Sequence, residues 1–173
     1  MNDSNRNTPI KSVEIVSEPS RFEQLEHKLL AGIREPLNEN SEKEIPLLWQ
    51  RFVGSVDKIP HRVDKVFYGL CSQADKDKQV FYYTACCSVT DFTDLPQEFS
   101  PIIIPSQYYA VFPHNAHISE IRKTISAAFD WLPTSNYKHA EQSVHFFEKY
   151  LEDYDPAVEI GGVEIWLPVS HLK

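Results

Sequence analysis

Between residues 41 and 58 the apolar side chains Ile45, Leu48, Trp49, Phe52 and Val56 return every three or four positions, the spacing that gathers them on one face of an α-helix. Ser41 followed three residues later by Glu44 reads as a capping box at the start of that helix. Pro60 predicts its stop near Lys58, because the residue before a proline is pushed out of the helical region. A second stripe of Ile118, Ile121, Ile125, Ala128, Phe129 and Leu132 predicts a helix from about Ala116 to Pro133. Elsewhere β-branched and aromatic residues dominate. Residues 65–72 (KVFYGLCS) and 79–92 (QVFYYTACCSVTDF) read as strands joined by a polar tip in which Asp75, Lys76, Asp77 and Lys78 form a solvated turn. Segments 29–37, 102–113, 144–151 and 162–169 are further strands, Pro105 marking an edge or bulge in the second of them. Residues 1–11 read as a frayed tail, and 12–16 as a short strand before a break over 17–23.

Both halves run strand, helix ending in an aliphatic-proline pair (Ile59-Pro60, Leu132-Pro133), then two strands. The repeated order predicts an internal duplication over about 28–92 and 102–169. The expected fold class is α+β: duplicated β-α-β-β units forming an antiparallel sheet with two main helices and a central ligand cleft. Residues 1–27 are expected to be an N-terminal extension and 28–173 the domain.

Composition narrows the function classes. At 173 residues the chain suits one folding unit. Its net charge of -8, with scattered basic residues, offers no positive stripe for phosphates, so direct nucleic-acid binding is disfavoured. No stretch reaches the ~18 to 20 apolar residues of a membrane span, and the polar start lacks a signal-peptide core, so a cytoplasmic protein is expected. Cys71, Cys86 and Cys87 cannot all pair and read as buried free thiols, with Cys86 and Cys87 on opposite faces of a strand. His114 and His117 have a spacing that suits a metal but no Cys or acidic partner nearby, so they read as surface or capping histidines. Walker, dinucleotide, GxSxG and HExxH signatures do not occur; no cofactor or metal is expected.

In the last strand the two-residue period puts Glu164 and Trp166 on one face and Val163, Ile165, Leu167 and Val169 on the other. The aliphatic face packs against the helices. On residue type alone a strand glutamate is solvated, whereas one removed from water needs a partner or a raised pKa. Candidate aromatic walls are Trp49, Tyr68, Tyr83, Tyr109, Phe112, Phe147 and Trp166, although the helix stripe already explains Trp49 as core. Alternation separates Tyr82 from Tyr83 and Tyr108 from Tyr109, so one of each pair faces a cleft.

The segments IPLLWQRF (45–52), YYAVFPH (108–114), DWLPTSNY (130–137) and VEIWLPV (163–169) resemble the gyrase-inhibitory-protein-like (GyrI-like) small-molecule-binding domains. They are similar, too, to the effector-binding domains of AraC/MerR-type multidrug-responsive transcription activators. The likeness runs from about residue 28 to the C-terminus and implies a central pocket. There Glu164 meets the positive charge of a lipophilic cationic or amphipathic small molecule and the aromatic residues line the walls. The chain lacks the family's helix-turn-helix and so looks like a detached drug sensor or sequestering domain, with a transcription regulator or a topoisomerase as possible partner. Two other functions follow from the resemblance: a hydrolase of electrophilic small molecules with Glu164 as general base and Trp49 holding substrate, and a protein-protein modulator such as a gyrase inhibitor. Simple binding without turnover is the favoured expectation.

Overall fold

Two copies of one β-α-β-β path meet edge to edge in the computed structural model, which describes residues 13–75, 80–140, 142 and 144–173. In chain order the strands are β1 (Arg21–Leu25), β2 (Lys28–Pro36), β3 (Arg62–Asp75), β4 (Val80–Val89), β5 (Ser100–Ile104), β6 (Gln107–His114), β7 (Tyr137–His139), β8 (Val144–Tyr150) and β9 (Val163–His171). The helices are α1 (Ser41–Ser55) and α2 (Ile121–Trp131). Across the sheet the order is β1-β6-β9-β8-β3-β4-β2-β5, every pair antiparallel, and β7 pairs with the end of β9. The first copy contributes β2-β4-β3 and the second β6-β9-β8. They join where β3 pairs with β8, Gly69 standing opposite Glu148 and Tyr68 opposite Lys149. The expected duplication is therefore visible as a pseudo-twofold path.

Each helix buries its apolar stripe on its own copy. Leu48, Phe52 and Val56 of the α1 region pack with Ala31, Tyr83, Ala85 and Cys87; Ala128 of α2 packs with Ala110, Phe112, Ile165 and Leu167. Phe52 is fully buried, which contributes ~1.5 to 3 kcal/mol by removal of apolar area from water. α1 rests on β2 and β4, and α2 on β6 and β9, which leaves the central β3–β8 seam between the helices. The helix-free face is also dry. Ile104 from one margin of the sheet and Leu25 from the other join Leu30, Tyr68, Tyr109, Phe147 and Trp166 in one cluster, so the sheet curls until its margins share a core. The three cysteines are buried free thiols, Cys86 on the helix-free face and Cys87 under α1.

Several expectations are corrected. The break at 17–23 and the extension before residue 28 contain β1, which pairs along β6 from Arg21↔Val111 to Leu25↔Gln107; its sequence RFEQL carries too little apolar alternation to announce a strand, and Phe22 is anchored instead by stacking on Tyr108 and Tyr137. Residues 13–16 form no strand. The tail 1–11, Ser12 and the turn residues Lys76, Asp77 and Lys78 lie outside the described residues, while Asp75 ends β3. The single strand expected over 102–113 is split into β5 and β6 around Pro105, which has no N–H to offer a ladder. The capping box does not form: the Asn38 N–H donates to Ser41 Oγ at 2.7 Å and the Asn38 amide donates to Glu44 at 3.3 Å. α2 is preceded by a 3₁₀ turn, Ile118–Glu120.

Candidate functional site

Glu164 lies on β9 with Trp166, both turned to the helix-free face as the alternation requires. The carboxylate is 7% exposed, and it is already matched. Arg21 donates from Nη1 to Oε2 at 2.5 Å and from Nη2 to Oε1 at 3.1 Å, and Trp166 Nε1 donates to Oε1 at 3.3 Å. The hydrogen bond to Glu164, with a smaller contribution from Glu23 and against the opposing effect of burial, raises the guanidinium pKa further. The guanidinium also lies over the Trp166 ring, 5.6 Å from its centroid. The expectation that Glu164 waits for an incoming cation is therefore corrected: a strand outside the expected domain brings the cation with it. A fork of two charge-assisted hydrogen bonds is the geometry that satisfies a buried carboxylate best.

The other buried carboxylate, Glu148 on β8, faces the opposite way, into the seam between the helices. It is 6% exposed. Tyr83 donates to its Oε1 at 2.5 Å and Tyr150 to the same oxygen at 3.3 Å, and Trp49 Nε1 donates to the Tyr83 hydroxyl at 2.9 Å. Oε2 receives no hydrogen bond, and no Lys or Arg pairs with the group, among the described residues. Burial pushes the Glu148 carboxyl up to about 7, against the opposing pull of the two phenols; desolvation in turn drives the Tyr83 and Tyr150 hydroxyls well above their usual range. Gly69, directly across on β3, makes this possible. A Cβ there would collide with Tyr83 Oη and Glu148 Oε1, so only glycine lets the phenol reach across the strand. The Trp49 and Tyr150 rings meet edge to face, centroids 4.9 Å apart, beside the carboxylate.

The eight expected site residues therefore divide. Trp49 and Tyr83 join Glu148 in the seam. Trp166, Tyr109, Phe147 and Tyr68 pack with one another on the helix-free face beside Glu164, Phe147 stacked on Trp166 at 5.3 Å. Phe112 is core under α2 against Trp131. Glu148, Tyr150 and Arg21 were not among the expected residues. The alternation in VHFFEKY that puts Phe146, Glu148 and Tyr150 on one face is the signal that points to the first two; nothing local points to Arg21. His117 caps the 3₁₀ turn through Ser119 N, whereas His114 is 1% exposed and held by Thr124 Oγ1 and the His117 carbonyl, a buried structural group and not a surface one. An open hollow of about 520 Å³ lies elsewhere, lined by Gln24, Gln107, Tyr108 and His171 among others, and a void of about 10 Å³ adjoins Tyr83 and the start of α1.

Residues 18–170 match the profile of the GyrI-like small molecule binding domain. The transcriptional regulator BrlR of Pseudomonas aeruginosa is 27% identical over 124 residues, which are 70% of this chain and 45% of BrlR, so the chain spans less than half of that relative. Among solved structures, SAV2435 bound to tetraphenylphosphonium superposes with a TM-score of 0.71 at 21% identity, over 87% of this chain and 93% of that one. EcmrR in its DNA complex superposes with a TM-score of 0.64 at 16% identity, over 88% of this chain and 57% of that one. At these identities the two structures establish the shared α+β fold. No helix among the described residues is long and apolar enough to cross a membrane.

Proposed function

This chain belongs to the GyrI-like small-molecule-binding family, and from that premise we propose that it holds a lipophilic organic cation in the seam between α1 and α2, with Glu148 as counter-charge. The observation that carries the reading is a carboxylate buried to 6% exposure, raised to about 7, with two phenols and, among the described residues, no cation bonded to it. Such a group costs free energy to ionise in place. An incoming organic cation lowers that cost, and the same cation gains from the faces of Trp49, Tyr83 and Tyr150 about 0.5 to 2 kcal/mol per favourable contact, according to desolvation. Trp49 and Tyr150, both only partly buried, would have to part for a ligand to enter, so binding is coupled to a rearrangement of α1 against β8. The tetraphenylphosphonium held by the structurally similar SAV2435 is an ion of the chemistry the seam suits. The regulators among the similar proteins support a sensing role, with the bound state read out through a regulatory protein.

The test is a titration with tetraphenylphosphonium followed by tryptophan fluorescence and calorimetry. Glu148→Gln is expected to weaken binding at least tenfold, which is about 1.4 kcal/mol, while Glu164→Gln leaves it within threefold. Equal affinity of the Glu148→Gln protein and the unmodified one overturns the reading.

A second reading uses the same geometry for catalysis, and what favours it is the position of the Glu148 pKa. A carboxyl near 7 is suited to take a proton from water at neutral pH, so an electrophilic substrate seated against Trp49 would be hydrolysed with Glu148, not Glu164, as general base. Turnover abolished in Glu148→Gln with substrate binding retained would establish it.

A further inference from the structure

We propose that the ion pair between Glu42 and Arg122 is a strap across the seam, which opens when an organic cation passes to Glu148. The inference rests on the reading of the seam given above and adds to it the step that controls entry.

Glu42 is in the first turn of α1 and Arg122 in the first turn of α2, and Arg122 Nη1 stands 2.7 Å from Glu42 Oε1. The two helices belong to different copies and bury their apolar stripes in separate clusters. Those stripes therefore do not hold one helix to the other. Among the described residues no second ion pair joins the helices. The strap spans the seam at one point, and the edge-to-face contact of Trp49 on α1 with Tyr150 on β8 spans it at another.

The first turn of α1 also covers a way to the carboxylate. A void of about 10 Å³ lies among Ser41, Glu44, Ile45 and Leu48 of α1 and Glu35 and Tyr83 of the sheet, and Tyr83 is the residue whose hydroxyl donates to Glu148. That is barely room for one water molecule, against the ~300 Å³ or more of a small-molecule site. Glu35 and Tyr83 are cross-strand partners fixed in the ladder of β2 and β4, so the helix turn is the wall that can yield. Glu35 and Glu44 give the enlarged path an acidic lining, which suits a cation.

Two features let the turn yield. Pro46 stands inside α1 and has no N–H, so the Glu42 carbonyl lacks its helical partner and the first turn is tied to the rest of the helix by fewer bonds. Both partners in the strap are 69% exposed, and an exposed pair shifts an equilibrium by only about two- to fivefold. The strap holds the turn in place without locking it.

The test has two arms. In the first, amide hydrogen exchange is followed by mass spectrometry in the ligand-free chain. Arg122→Ala alters no residue of α1, yet exchange over residues 41–52 should quicken about two- to fivefold. The charge swap Glu42→Arg with Arg122→Glu, which rebuilds the pair, should restore the parent rate. In the second arm, tetraphenylphosphonium association is followed by stopped-flow tryptophan fluorescence. Glu42→Ala makes the chain less negative, so long-range attraction alone predicts slower entry of a cation, whereas loss of the strap predicts entry about two- to fivefold faster. Unchanged exchange in Arg122→Ala, or entry no faster in Glu42→Ala, overturns the strap. Exchange that responds as expected in a protein whose parent binds no tetraphenylphosphonium overturns the reading of the seam, and control of entry falls with it.

Discussion

Glu148 and Glu164 stand on neighbouring strands, one step out of register, and face opposite sides of one sheet. Glu148 is opposite Ile165 and Glu164 opposite Lys149. That single step separates a carboxylate matched by Arg21 from one that no cation meets among the described residues.

Stability against pH reports on Glu148. Its folded pKa, about 7, lies above the usual 4.5, so the native state binds the proton more tightly than the unfolded chain. That contribution is complete below about pH 4.5, fades as pH rises through 7 and is absent beyond it. The loss amounts to roughly 3 kcal/mol in order of magnitude. Glu148→Gln, which retains an acceptor for both phenols, should be the more stable protein at pH 8 by urea denaturation and should lose most of the slope between pH 5 and 7. A Glu148→Gln protein less stable than the parent at pH 8 contradicts this.

Cation binding should carry the opposite sign. The ligand selects ionised Glu148, so affinity for tetraphenylphosphonium should fall nearly tenfold per pH unit well below 7, level off above 8, and release protons measurable as a buffer-dependent heat at pH 7. A flat affinity from pH 5.5 to 8 would remove Glu148 from the ligand.

Arg21→Met leaves Glu164 buried without a cation. Removing one partner of a fully buried pair costs about 3 to 5 kcal/mol. The Arg21 side chain is 39% exposed, so water softens the penalty, and we expect about 2 kcal/mol. In the double variant with Glu164→Gln the two losses should not add, because the second substitution removes the charge that the first strands. Strict additivity in a denaturation cycle would contradict a coupled pair.

Gly69→Ala tests the strand crossing of Tyr83. The added methyl must displace the Tyr83 hydroxyl or the Glu148 carboxylate, both hemmed in by buried neighbours, so a destabilisation of about 2 kcal/mol or more is expected. Tetraphenylphosphonium binding should be lost with it. A Tm within 2 °C of the parent would show that the phenol has room to move.

Much of the architecture is local and was open to reading from the chain alone. The 3.6-residue stripes marked both helices, the period of two set Glu164 with Trp166 away from Ile165 and Leu167, and the aliphatic-proline pairs exposed the duplication. Alternation, however, says only that two residues share a face; it does not say what that face becomes. Three long-range facts decided that here. Helices α1 and α2 settle on the outer strands of each copy, which leaves Glu148 at the β3–β8 seam between them. The sheet curls until Ile104 and Leu25, from its two margins, share one apolar cluster, which dries the face carrying Glu164 and Trp166. And β1, unremarkable as a string of five residues, delivers Arg21 to a carboxylate 143 positions away, a pairing set by which strand edge β6 left free and not by any pattern within reach of either residue.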